Sequence, residues 1–243
     1  MQKIEINKHT FKVFTEWREL SAGQWSSLKG LSSEDKPYYL TTIKAKYAYL
    51  MRPQVIDTID KLTAHFFTHD KLTAMPVMFT GLKQWKGYSL PELVTINGND
   101  MYLFNETAYT FCQAHDALTA AFDVDIRFIF QFAAYYLRKP GDGVSENEII
   151  QRSPKMKDVP MSVLLEVLFH HVQFLAILTD DKHFPGLFGG KKDINGNKLE
   201  GLGFSGFLHE WAMEKQTGIN DINERVNDFF LHLVYLRNVR AMK

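Results

Sequence analysis

Residues 160–179, Pro-Met-Ser-Val-Leu-Leu-Glu-Val-Leu-Phe-His-His-Val-Gln-Phe-Leu-Ala-Ile-Leu-Thr, constrain this chain more than any other stretch. Pro160 suits the first position of a helix, where its fixed φ fits and its missing N–H has no intrahelical partner to lose. The helix that follows is apolar on nearly every side, so it must be covered on nearly every side. Glu166, His170, His171 and Gln173 lie near its middle, and each would be costly in lipid. The stretch therefore predicts the central helix of a folded core, or a helix at a subunit contact.

Most of the remaining sequence also reads as helix. Within 54–68, Val55, Ile59, Leu62 and Phe66 form one apolar stripe. A helix over Tyr38–Met51 is expected to stop at Arg52-Pro53. Thr107 can cap a helix to about Ala121, and Asp123 another to about Arg138, before Lys139-Pro-Gly-Asp-Gly143 ends it. Ser145-Glu-Asn-Glu148 is a capping-box pattern. Ile222, Val226, Phe229, Leu233 and Leu236, widened by Phe230 and Val234, mark a last helix whose stripe suits a core face or an oligomer seam.

Strand signals are short and local. Residues 3–14 alternate, with a turn at Asn7-Lys8-His9. Leu93–Phe104 is centred on Asn97-Gly98, and Asp193–Leu199 on a second Asn-Gly. Residues 183–206 hold seven glycines and read as the longest irregular, mobile loop. The expected architecture is mainly α: one domain, 1–243, with a helical core, small hairpins and an N-terminal β arm over 1–14.

Charge argues against nonspecific electrostatic partners. Lys plus Arg and Asp plus Glu are both 28, leaving no global field for nucleic acid or an anionic membrane. The one cysteine, Cys112, allows no internal disulfide and fits a reducing compartment; beside Phe111 and Ala114 it reads as a buried thiol. The first residues lack the apolar core of a signal peptide, so secretion through such a signal is not expected and a cytoplasmic location is.

Reactive motifs are incomplete. His65 and His69, with Asp70, have the spacing of two metal ligands on one helix face but lack a third. Glu166 and His170 are four apart, followed by His171, where a di-iron bundle wants Glu-x-x-His twice. His209-Glu210 begins like a metalloprotease helix, but Met213 stands where the second His belongs. Gly186-Leu-Phe-Gly-Gly-Lys-Lys192 is one residue short of a phosphate loop and lacks its hydroxyl. Two further functional classes stay open. A nucleic-acid binder would use Lys36, Lys44, Lys46 and Arg52, interleaved with Tyr38, Tyr39, Tyr47 and Tyr49. A metal-dependent helical enzyme would use Glu166, His170 and His171. Neither a catalytic residue nor a cofactor or metal site is assigned.

The opening segment carries one more signal. Residues 15–28 read as an amphipathic helix after the strand pair, with Trp17 and Trp25 eight apart and Leu20 extending their face. Ile4, Ile6, Phe11, Val13, Trp17, Glu19, Leu20 and Gln24 together resemble the start of small structural and assembly proteins from tail modules of phages and prophages, particularly those of Bacteroidetes-type hosts. Phe14-Thr15 stand where those proteins carry a proline. The resemblance covers about the first thirty residues and implies a non-enzymatic role through protein contacts, with other phage or prophage structural proteins or a second copy as partner. The partner-binding residues it singles out are Ile4, Ile6, Phe11, Val13, Trp17, Leu20 and Trp25. These side chains suit a core as well as an interface.

Overall fold

The structure, a computed structural model, describes residues 1–28, 31, 35–64, 66, 83–95, 102–179, 184–187 and 204–241. It is mainly α with small antiparallel hairpins, the class expected from the sequence. Where the sequence reads as one domain, 1–243, the contacts form two compact units. The first is Met1–Gly81 with Lys155–Glu166, and the second is Leu82–Pro154 with Val167–Lys243.

The first unit opens with strands β1 (Gln2–Ile6) and β2 (His9–Val13), paired antiparallel with Ile6 opposite His9. Asn7 and Lys8 both take positive φ, 48° and 69°, the geometry that matches a two-residue turn to the twist of its strands. Phe11 and Val13 enter a cluster with Ile43, Leu50 and Ile59, and Ile4, Ile6, Tyr38 and Tyr47 pack half-buried against it. The free side of β2 is closed: Lys12 N–H donates to Thr42 Oγ1, Thr42 N–H to Lys12 O, and Phe14 N–H to Leu40 O. Residues 1–14, read from the sequence as an N-terminal β arm, form a hairpin whose inner strand is built into the first unit.

The helix expected over 15–28 is broken. A single 3-10 turn, Trp17–Glu19, comes first, Leu20 is extended, and helix α1 covers only Ala22–Leu28. Side chains cause the break. Glu19 Oε2 accepts from the N–H groups of Thr15 and Glu16, while Ser21 and Gln24 exchange reciprocal bonds that start a new helix. Trp17 and Trp25 thus lie on separate elements, and both are buried. Backbone bonds from Ala22 N–H to Val159 O (2.7 Å) and from Met161 N–H to Leu20 O (2.8 Å) tie this region to the later segment of the same unit.

The helix expected over Tyr38–Met51 is likewise divided into α2 (Lys36–Tyr39) and a 3-10 stretch, Ala45–Leu50, because Thr41 bridges to Val13 between them. Helix α3 (Pro53–Thr63) starts with its proline at the tolerated first turn. Of the stripe expected over 54–68, Ile59 on α3 is buried and Val55 and Leu62 are half-buried, while Phe66, also buried, lies beyond the end of α3.

The second unit begins with β3 (Gln84–Trp85) and β4 (Tyr88–Ser89), turned by Lys86 and Gly87, both at positive φ. Strands β5 (Leu93–Thr95) and β6 (Tyr102–Phe104) form the second expected hairpin in a shifted register. A two-residue Asn97-Gly98 turn would set Thr95 opposite Asp100, but Thr95 lies opposite Tyr102. Residues 96–101 lie outside the described ones, as do the hairpin expected at 193–199 and most of 183–206.

Helix α4 (Ala108–Asp123) starts at Thr107, whose hydroxyl accepts from Thr110 N–H. Helix α5 (Phe128–Tyr136) follows, and α6 (Glu146–Arg152) opens on the expected Ser145/Glu148 capping box. Arg152 is buried and donates to Ala134 O and Gly143 O, satisfying carbonyls at the end of α5 and in the loop beyond. The long apolar helix is α7 (Met161–Leu178), whose start belongs to the first unit and whose remainder belongs to the second. By length and composition it could cross a membrane, yet 61% of it is buried inside the protein.

Helix α8 (Ser205–Lys215) begins inside what the sequence marked as loop. The final helix, α9 (Val226–Ala241), buries Val226, Phe229, Phe230, Leu233 and Val234 against Phe111, Phe174, Phe207 and Trp211. The seam-like stripe is thus occupied within its own unit.

Candidate functional site

Within the second unit, α4, α5 and α7 bring three polar rings into one chain. Nδ1 of His171 is 2.6 Å from the Tyr136 hydroxyl, and its Nε2 is 3.1 Å from Nδ1 of His115. Tyr136 and His171 are fully buried; His115 is half-buried. Aromatic rings enclose the centre. Phe111 stacks on His171 at 4.6 Å, Phe132 meets it edge-on, and Phe204 covers His115 at 4.2 Å.

Burial sets the charge state of this chain. It pushes the His171 imidazole well below the ordinary histidine value, and the neighbouring His115 ring adds to the effect. His115 is lowered by burial too, against the opposing pull of Asp116. The Tyr136 phenol is pushed well up by burial, with Glu106 adding to it. At neutral pH all three groups are uncharged, so the chain is a line of neutral hydrogen bonds. Two proton orders satisfy it. Either the Tyr136 hydroxyl donates to His171 and His171 to His115, or every donor reverses.

The flanking carboxylates have structural tasks. Asp116 accepts from the N–H groups of Phe204 and Ser205 and from the Ser205 hydroxyl, fixing the start of α8. Glu106 is buried against the Arg138 guanidinium, although burial still raises its carboxyl above the ordinary value. Burial also raises the Cys112 thiol well above its usual range, which suppresses the nucleophilic thiolate.

Of the sequence candidates, only His171 joins this chain, and its partners come from α4 and α5; Glu166 is not among them. His115 and Tyr136 are not among those candidates, although the sequence carries a signal for both. His115 continues the inward stripe of Ala108, Phe111 and Cys112, and Tyr136 continues that of Ile129 and Phe132. A polar side chain at such a position needs an internal partner. Among the described residues, no group of three His, Cys, Asp or Glu is arranged to hold a metal ion. His65 and His69 lie outside the described residues, as does most of the glycine–lysine segment after Gly186. His209 is exposed, and Glu210 pairs with Arg237.

The partner-binding candidates divide by burial. Phe11, Val13, Trp17, Leu20 and Trp25 are core residues of the first unit, while Ile4 and Ile6 are half-buried on β1. Steric access in this fold therefore favours β1 over the tryptophans as a contact element. In the basic–aromatic segment, Lys44, Lys46 and Arg52 are exposed, but Tyr38 and Tyr47 turn inward; Tyr47 packs on Phe11 at 5.5 Å and on His9 at 5.2 Å. These two rings are not presented for stacking on bases.

A different apolar surface lies on α9. Leu231 and Tyr235 are one turn apart, 44% and 67% exposed, on the side opposite Phe229 and Leu233. Against this geometry, comparison with known protein families, with curated proteins and with solved structures finds no match.

Proposed function

We propose that this chain is a non-enzymatic structural or assembly protein that works through protein–protein contacts, as the likeness of its first thirty residues to phage and prophage tail-module proteins implies. The observation carrying this reading is the pair of large apolar side chains on the solvent side of α9, beside exposed Asp228 and His232. One side is consumed by the core, and the other holds Leu231 and Tyr235 in water. Covering a large apolar side chain is worth about 1.5–3 kcal/mol relative to leaving it fully exposed, and these two are partly covered already, so association gains the remainder. The enclosed His115–His171–Tyr136 chain supports the same reading, because its neutral groups act as internal struts between helices.

Incorporation into particles tests the assignment. The chain is tagged at its native locus, particles and their precursors are fractionated by density, and the fractions are quantified by mass spectrometry. Fixed stoichiometry in particles or in precursors is expected. Absence from both overturns the phage assignment. A second arm replaces Leu231 and Tyr235 together with glutamate; incorporation unchanged by L231E/Y235E overturns α9 as the contact surface.

A further inference from the structure

We propose that the outer edge of β1 pairs antiparallel with the same strand of a second copy, joining two hairpins into one four-stranded sheet. This goes beyond the assembly role above and does not depend on it.

The hydrogen-bond phase of the hairpin decides which groups are available. Ile6 and His9 flank a two-residue turn, which makes them a hydrogen-bonded pair. By alternation, Ile4 with Phe11 and Gln2 with Val13 are bonded pairs, whereas Lys3 with Lys12 and Glu5 with Thr10 are not. Lys12 verifies this phase, since both its N–H and its C=O are engaged by Thr42 on the side away from β1. On β1, therefore, the N–H and C=O groups of Lys3 and Glu5 point outward. The far side of β2 is closed by residues 40–42; among the described residues, no backbone bond reaches the far side of β1. Such an edge is a template for another strand.

Charge selects the partner and the register. A second β1 can meet the outward groups in phase with Lys3 opposite Lys3, with Glu5 opposite Glu5, or with each Lys3 opposite the other copy's Glu5. The first two set like charges face to face, which is unfavourable. The third is symmetric about Ile4, makes two bonded Lys–Glu pairs, and brings the half-exposed Ile4 side chains together on the opposite face. Lys3 has a further reason to accept this neighbour. Inside its own hairpin it faces Lys12, another cation, and both are exposed. A carboxylate on its other side offsets that repulsion.

The strand is only five residues long. Its contact falls well below the roughly 1,200–2,000 Å² of stable complexes, so the dimer is weak and concentration-dependent.

Sedimentation equilibrium across a wide protein concentration range tests the pairing. The unaltered chain is expected to dimerise. K3E alone or E5K alone sets two like-charge pairs at the contact and weakens dimerisation by roughly tenfold. The double exchange K3E/E5K restores it, and an equimolar mixture of K3E with E5K associates more tightly than either alone. Both positions are exposed, and circular dichroism checks that every variant is folded. A chain monomeric at all concentrations overturns the proposal. So does a dimer indifferent to both reversals, or one that the double exchange fails to restore.

Discussion

The Tyr136 hydroxyl and Nδ1 of His171 stand 2.6 Å apart with neither side chain open to solvent. Each is the other's means of satisfying a buried polar atom. Y136F should cost about 1–3 kcal/mol, because the His171 nitrogen loses that partner. Combining Y136F with H171F should cost less than the sum of the single changes. A double-mutant cycle from urea denaturation checks this, and strict additivity would show that the pair is not coupled.

The same chain links stability to acidity. His115 and His171 have lowered values in the folded protein and the ordinary 6.5 when unfolded. Below pH 6.5 the unfolded chain therefore binds protons that the folded chain refuses, and folding stability falls as pH drops towards the folded-state values. The slope approaches about 1.4 kcal/mol per pH unit for each histidine. Urea midpoints between pH 7.5 and 5.5 should decline accordingly. Replacing His171 with phenylalanine should flatten the curve, although it lowers stability at pH 7.5.

Truncation of residues 1–14 should unfold the first unit. Phe11 and Val13 fill its core, and Lys12 and Phe14 bond to residues 40–42. F11A alone should destabilise by about 3–5 kcal/mol. Loss of protection from hydrogen exchange around Ile43, Leu50 and Ile59 is the expected readout. Unchanged protection there after truncation would return 1–14 to the status of an appendage.

Arg152 reaches Ala134 O through both Nε and Nη2, at 3.0 and 2.8 Å, and Gly143 O through Nη2. A planar fork is needed for this. R152K should retain charge yet lose the paired donors, costing about 1–3 kcal/mol in thermal or chemical denaturation. A lysine variant as stable as the parent would show that the fork contributes little.

Gly23 makes a close approach of backbones possible. A Cβ there would lie 2.9 Å from Lys157 O and 3.1 Å from Lys157 Cβ. G23A should therefore destabilise by about 1–3 kcal/mol despite alanine's better helix propensity, as overpacking does elsewhere. Increased stability would mean that the segment carrying Lys157 yields easily.

Several of these features are legible in the amino-acid sequence itself. The inward stripe of Val55, Ile59, Leu62 and Phe66, the Thr107 cap, the Ser145/Glu148 box and the enclosed α7 follow from spacing and side-chain chemistry. The break at Leu20 is also written locally, in Glu19 and in Ser21 with Gln24, but a hydrophobic stripe running through it is the louder signal. The division at Thr41 is different in kind. It arises from pairing with Val13, and no residue near Thr41 announces its partner. The Tyr136–His171–His115 chain has the same origin: each residue marks a polar point on an apolar face, and only folding decides which points meet.

The first unit draws residues 155–166 back to its opening stretch, leaving the intervening 82–154 in the second. During synthesis, the amino-terminal portion must wait on the ribosome until this late segment emerges before its Ala22–Val159 and Leu20–Met161 bonds can form. Any single scission between the two segments divides the first unit, so no one cut releases it whole. Isolating the first would require splicing Gly81 directly to Lys155, a gene-level deletion with no protease equivalent.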